Sequence, residues 1–78
     1  MTSAQPSPDM TRVREVFRAA KAESGMTYDQ LAGATGLARQ TLVNIAQGRY
    51  RGDLRTWLLL ARAWDRSLDE LLAQLWHD

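Results

Sequence analysis

Within RQTLVNIAQ, residues 39–47, the side chains of Arg39, Gln40, Asn44 and Gln47 hydrogen-bond through planar groups. A guanidinium matches O6 and N7 of guanine, and a carboxamide matches N6 and N7 of adenine. The set therefore has the chemistry to read base edges in the major groove of DNA. Wound at about 100° per residue, the run puts these four on one side with Val43, whose methyls suit the thymine methyl, and puts Leu42, Ile45 and Ala46 on the other. The competing reading is a plain solvated surface. Such a surface more usually carries Glu and Lys, and this run has neither.

A helix this short must be held by its neighbours, and the preceding residues supply a partner at a tight corner. Thr27 and Gln30 form a Ser/Thr-x-x-Glu/Gln start signal, so a helix begins near Tyr28. Gly36 ends it, because the corner needs a backbone with positive φ that carries no Cβ. The second helix runs from about Arg39 to Gln47, and Gly48 stops it in the same way. Gly33 is a weak point of the first helix by intrinsic propensity.

Thr27, Leu31, Ala32, Gly36, Leu37, Leu42, Ile45 and Gly48 together resemble the helix-turn-helix of the lambda repressor and Cro family, the Xre-type DNA-binding domains of phage and bacterial regulators. LRTWLLLARAWDRSLDELL is similar to that family's fourth helix and the start of its fifth, so the resemblance covers roughly residues 13–72. It implies an all-α, five-helix lambda repressor-like domain that places Arg39, Gln40, Val43 and Asn44 against bases. It also brings the loop Arg49-Tyr50-Arg51 to the sugar-phosphate backbone, with Tyr28 standing where the family often has a phosphate-touching Gln. Thr41 and Gln47 join this phosphate set, although Thr41 lies at the edge between the outer and core faces and suits either role. The chain departs from the family at Ala38, where a Ser or Thr often caps the recognition helix, and at Asp65, where a helix-ending Gly is usual. A lost cap costs about 1 kcal/mol, and Asp tolerates a left-handed backbone better than most residues.

Composition agrees with a small helical bundle. One domain of 78 residues without Cys has no disulfide or thiolate metal site to supplement its core. The formal net charge is only +1, yet residues 35–66 hold six basic against two acidic side chains, which places positive charge around the second helix. The longest apolar run, Trp57 to Ala61, is far short of the about 20 residues a membrane helix needs, and no apolar leader segment is present, so a cytoplasmic protein is expected.

Residues 1–7 read as a polar tail and residues 8–78 as the helix-turn-helix domain. Helix 1 is expected to start at Ser7-Pro8, or as late as Thr11, with Met10, Val13, Val16, Phe17 and Ala20 as its buried stripe. Arg12, Arg14, Arg18 and Lys21 are taken as solvated surface, and Gly25 ends the helix. Asp53 caps helix 4, whose inner stripe is read as Leu54, Trp57, Leu58, Ala61 and Trp64, with Leu60 flanking it. Ser67 and Glu70 open helix 5, with Leu68, Leu71, Leu72 and Leu75 on its apolar side. Leu59 falls on the outer side of helix 4 beside Arg55 and Arg62, and Trp76 lies at the edge of helix 5. With Leu72 and Leu75 they make a candidate interface for a homodimer. Lambda-type domains often pair through the helix 5 region, and such a pair would meet a two-fold symmetric operator.

These observations point to sequence-specific recognition of double-stranded DNA by a transcriptional regulator, repressor-like by resemblance. An alternative of a different class is a protein-interaction module, such as an antitoxin or accessory subunit, that uses the same fold. Catalysis has little to stand on. His77 is the single His, and the adjacent Asp69 and Glu70 are explained by capping. No cofactor, metal or small-molecule ligand is implied.

Overall fold

The computed structural model describes residues 6–76. A 3-10 turn, Met10–Arg12, leads into five α-helices: α1 Val13–Ser24, α2 Tyr28–Thr35, α3 Arg39–Ala46, α4 Leu54–Ala63 and α5 Leu68–Leu72. A second 3-10 turn, Ala73–Leu75, follows, and there is no strand among the described residues. Of the expected tail, only Pro6 and Ser7 are described, both exposed; residues 1–5 and His77 lie outside the described residues.

The helix boundaries follow from local chemistry. Thr27 and Ser67 each accept from the backbone N–H three residues on, while Gln30 and Glu70 reach back to the cap N–H, completing two capping boxes. Gly25 and Gly36 end α1 and α2 in the left-handed conformation, and Asp65 adopts φ 54° after α4. The start differs from expectation. Asp9, and neither Ser7 nor Thr11, is the first cap, its carboxylate accepting from both the backbone N–H and the hydroxyl of Thr11. The Asp9 N–H also donates to the Leu75 carbonyl at 2.6 Å, which fastens the front of the bundle to its end.

Phe17, Leu31, Leu42, Ile45, Leu60 and Leu71 are fully buried, so every α-helix contributes to one core. Burying each such side chain is worth about 1.5–3 kcal/mol, the main term holding so small a domain. Phe17 and Trp64 meet edge to face with ring centroids 5.6 Å apart. Trp64 Nε1 is buried with no hydrogen-bond acceptor among the described residues, so this ring serves packing alone. Arg66 donates to Glu23 at 2.8 Å and ties the α4–α5 turn to the end of α1.

Four apolar assignments need correction. In α4 the buried residues are Thr56, Trp57, Leu60 and Ala61, while Leu54 and Leu58, expected inside, are 67% and 51% exposed. Leu59, expected outside, is half-buried. The inward face is therefore turned about one residue further along the helix, because α4 has to pack against both α2 and α5. Met10, placed in the α1 stripe, is exposed within the 3-10 turn.

Two glycines respond oppositely to a methyl group. A Cβ on Gly33 meets nothing within 4 Å, whereas one on Gly52, at φ 81°, falls 2.7 Å from Trp57 Nε1. Gly33→Ala is expected to stabilise by about 0.5–1 kcal/mol, and Gly52→Ala to destabilise by more than about 1 kcal/mol. Urea unfolding of the two variants gives these signs directly; equal effects would contradict the geometry.

Candidate nucleic-acid interface

The candidate surface begins with how α3 is seated. Leu42, Ile45 and Ala46 are buried against α1 and α2, so the opposite side turns outward as its spacing requires. Arg39 and Gln40 are exposed, and Thr41, Val43 and Asn44 are half-buried. Gln47, which terminates the helix, is exposed, as are Arg49, Tyr50 and Arg51 beyond it. Of these residues, Gln47, Tyr50 and Arg51 border one open depression at the end of α3. The first turn of α3 has no side-chain cap, since Ala38 offers none.

Three of the outward side chains are already engaged. Gln40 Nε2 donates to Asn44 Oδ1 at 3.0 Å, linking successive turns of α3. Arg39 Nε lies 3.3 Å from Asp29 Oδ1, and its guanidinium carbon sits 5.4 Å from the centre of the Tyr28 ring. Lys21 covers the same ring at 4.2 Å, so Tyr28 is a half-buried platform between two cations. Asp29 binds the Nε edge of the guanidinium and leaves the two terminal nitrogens unencumbered by that pair. The spacing of residues along the chain did not reveal this contact, because Asp29 and Arg39 approach only once the corner at Gly36 brings α2 and α3 together. Exposed ion pairs of this kind contribute about 0–1 kcal/mol, so exchange for a base edge costs little.

The loop from Gly48 to Gly52 is held from below. Trp57 Nε1 donates to the Arg51 carbonyl at 2.7 Å, and its ring lies so close to Gly52 that no side chain fits there. Asn44 O accepts from the N–H groups of Arg49 and Tyr50, which continues the end of α3 into the loop. Asp53 then caps α4, accepting from the Thr56 N–H at 2.8 Å. The Thr56 hydroxyl and N–H hold the Asp53 carboxyl below its ordinary value of 3.8.

The expected dimer set is not brought together as one exposed patch. Leu75 is buried and Leu72 and Leu59 are half-buried, whereas Trp76 is 47% exposed. Leu54, Leu58 and Met10 are the exposed apolar side chains the wheel did not assign to this surface. Met10, Leu54, Trp57, Leu72 and Leu75 line an open apolar groove of about 260 Å³. Among the described residues no group of His, Cys, Asp or Glu is arranged to hold a metal, and no helix is long and apolar enough to cross a membrane.

Comparison with known proteins agrees with this geometry. Residues 17–71 match the model of a family described as helix-turn-helix, HTH_3. An HTH-type transcriptional regulator of Archaeoglobus fulgidus is 38% identical over 61 residues, covering 78% of this chain and 81% of the relative. Among solved structures, the restriction-modification controller protein C.AhdI from Aeromonas hydrophila superposes with a TM-score of 0.74 at 27% identity, over 81% of this chain and 96% of that one. The clp gene regulator ClgR from C. glutamicum shares the fold, with a TM-score of 0.76 at 19% identity over 94% of each chain.

The lowered Asp53 pKa carries a signed expectation. A depressed carboxyl contributes stability that is complete above its unfolded value, near 3.8, and is lost as pH falls through the lower folded value. Asp53→Ala should lower Tm at neutral pH, and the gap to wild type should narrow in acid. A gap that stays constant from pH 7 to pH 2.5 would show that the ionised cap is not what holds α4.

Proposed function

The chain belongs to the helix-turn-helix family of transcriptional regulators, and on that premise we propose that it binds a specific double-stranded DNA operator by inserting α3 into the major groove. The observation that carries this reading is the outward face of α3, where Arg39, Gln40, Val43 and Asn44 are presented while Leu42 and Ile45 anchor the other side. Arg39 suits guanine, Gln40 and Asn44 suit adenine, and Val43 suits the thymine methyl. Tyr28, Thr41, Gln47, Arg49, Tyr50 and Arg51 take the sugar-phosphate backbone on either side, setting the depth and register of α3. The protein's action is proposed to be repressor-like, as the resemblance to the lambda repressor family suggests. As a DNA-binding regulator it is proposed to act in the cytoplasm.

Two copies are proposed to act together on a two-fold symmetric site. Leu54, Leu58, Leu72 and Trp76 offer the apolar surface for pairing, with Trp76 the anchor, because large aromatics dominate interface energetics. Two-fold pairing would set two α3 helices about 34 Å apart, one turn of B-DNA. Leu59 and Leu75 support this surface from within and do not form it.

Selection of bound sites from random duplexes identifies the operator and shows whether it is symmetric. On that operator, Arg39→Ala is expected to cost about 1–3 kcal/mol and to relax preference at one position, while Arg51→Ala weakens all sequences alike. If neither variant changes affinity in an anisotropy titration, and the protein instead co-purifies with another protein, the interaction-module reading replaces this one. Leu58→Asp and Trp76→Ala, at exposed positions, should leave Tm close to wild type and shift sedimentation toward a monomer. They should weaken binding to a two-half-site duplex more than to a single half-site; unchanged sedimentation would remove the α4–α5 surface from the proposal.

A further inference from the structure

Arg14 of α1, read from the sequence as solvated surface, lies across the end of α3. A Cβ on Gly48 would fall 3.2 Å from Arg14 Cδ and 3.7 Å from Nη1, so the Arg14 side chain rests against the backbone where α3 gives way to the loop. Arg14, Thr11, Gln47, Tyr50 and Arg51 line an open depression of about 230 Å³ at that point. Two arginines, a glutamine and two hydroxyl-bearing residues border it, from segments far apart in sequence. Neither Arg14 nor Arg51 forms an ion pair among the described residues, where the ion pairs are Arg39–Asp29 and Arg66–Glu23. Asp9, two residues from Thr11, has its carboxylate turned to the Thr11 N–H and hydroxyl.

We propose that this depression is a phosphate subsite in which Arg14 and Arg51 together hold one backbone phosphodiester of the duplex. The inference rests on the DNA-binding reading and adds a residue and an element, α1, that reading does not include. Two guanidiniums around one cavity suit an anion with several acceptor oxygens, and Arg is the side chain best shaped to grip phosphate through paired N–H donors. The placement fits a helix in the major groove. The eight residues of α3 span roughly 12 Å, and the groove is about 12 Å wide. Tyr28 stands beside Arg39 at one end of α3, and the Arg14–Arg51 depression stands at the other. Tyr28 and the Arg14–Arg51 depression thus flank α3 at its two ends, and the Arg14 end is lined by two elements rather than by the loop alone.

The test is Arg14→Gln, which keeps the reach of the side chain and removes its charge, measured by fluorescence anisotropy on the selected operator and on a scrambled duplex across a salt series. Affinity should fall several-fold on both duplexes alike, and the slope of log K against log salt should become shallower by about 0.9, the value of one lost phosphate contact. Arg14→Lys should restore part of the slope, and Tm should stay at the wild-type value for both variants. An unchanged slope and affinity for Arg14→Gln, while Arg39→Ala still alters preference, overturns the subsite and leaves the regulator reading intact. Wild-type protein that binds no duplex overturns that reading and the subsite with it. A free-anion site is separated by titrating inorganic phosphate at fixed ionic strength. Saturable shifts of the Thr11 and Gly48 amides, together with normal duplex binding by Arg14→Gln, would assign the depression to a free anion and sink the DNA contact.

Discussion

Burial of Leu42 and Ile45 is the interaction on which the recognition surface depends. A helix as short as α3 is not stable alone in water, where isolated helices below about 12–15 residues are marginal. This one also lacks a side-chain cap at Ala38. Its helical state and the direction of its outer face both come from two aliphatic side chains with no solvent exposure, packed against α1 and α2. Loosening that seat would unwind the helix and scatter the groups at residues 39, 40, 43 and 44 together. The neighbouring helices thus act on DNA recognition by supplying the pocket into which α3 is pressed.

The surface around α3 is pre-assembled by weak contacts over strong supports. Asp29, Tyr28 and the Gln40–Asn44 bond restrict side chains that stay in contact with water, so each exchanges readily for a base or phosphate partner. The backbone beneath is fixed by stronger means. Gly36 turns the corner, and Trp57 grips the loop through the Arg51 carbonyl while its ring occupies the space a Gly52 side chain would need. Rigid backbone with exchangeable side-chain contacts reduces the ordering cost of binding and leaves adaptability at the tips.

Helix α4 shows where pattern reading fails and why. Arg55 and Arg62 mark a polar side, but the consecutive Leu58, Leu59 and Leu60 leave open which of them turns inward. The choice between Leu58 and Leu60 as the inward residue falls to the surfaces of α2 and α5, which admit Thr56 and Leu60 and leave Leu54 and Leu58 outside. The same rotation exchanged Leu59 for Leu54 and Leu58 on the apolar exterior, where Trp76 was expected from the start. In α3, by contrast, polar and apolar residues alternate cleanly at helical spacing, and its two faces were legible at once.

Local chemistry, visible in the sequence, determined the helix starts at Thr27, Asp53 and Ser67, the stops at Gly25 and Gly36, the all-α class and the outward set on α3. Each of these rests on contacts among residues a few positions apart, where spacing and geometry are nearly the same thing. Contacts between distant segments were decided only by packing: Arg39 with Asp29 and Tyr28, Arg14 with Gly48, Asp9 with Leu75, and the rotation of α4. Which of three consecutive leucines turns inward, and which charged side chains converge, depends on the shape left by every other helix once the core has closed, and no local periodicity encodes that shape.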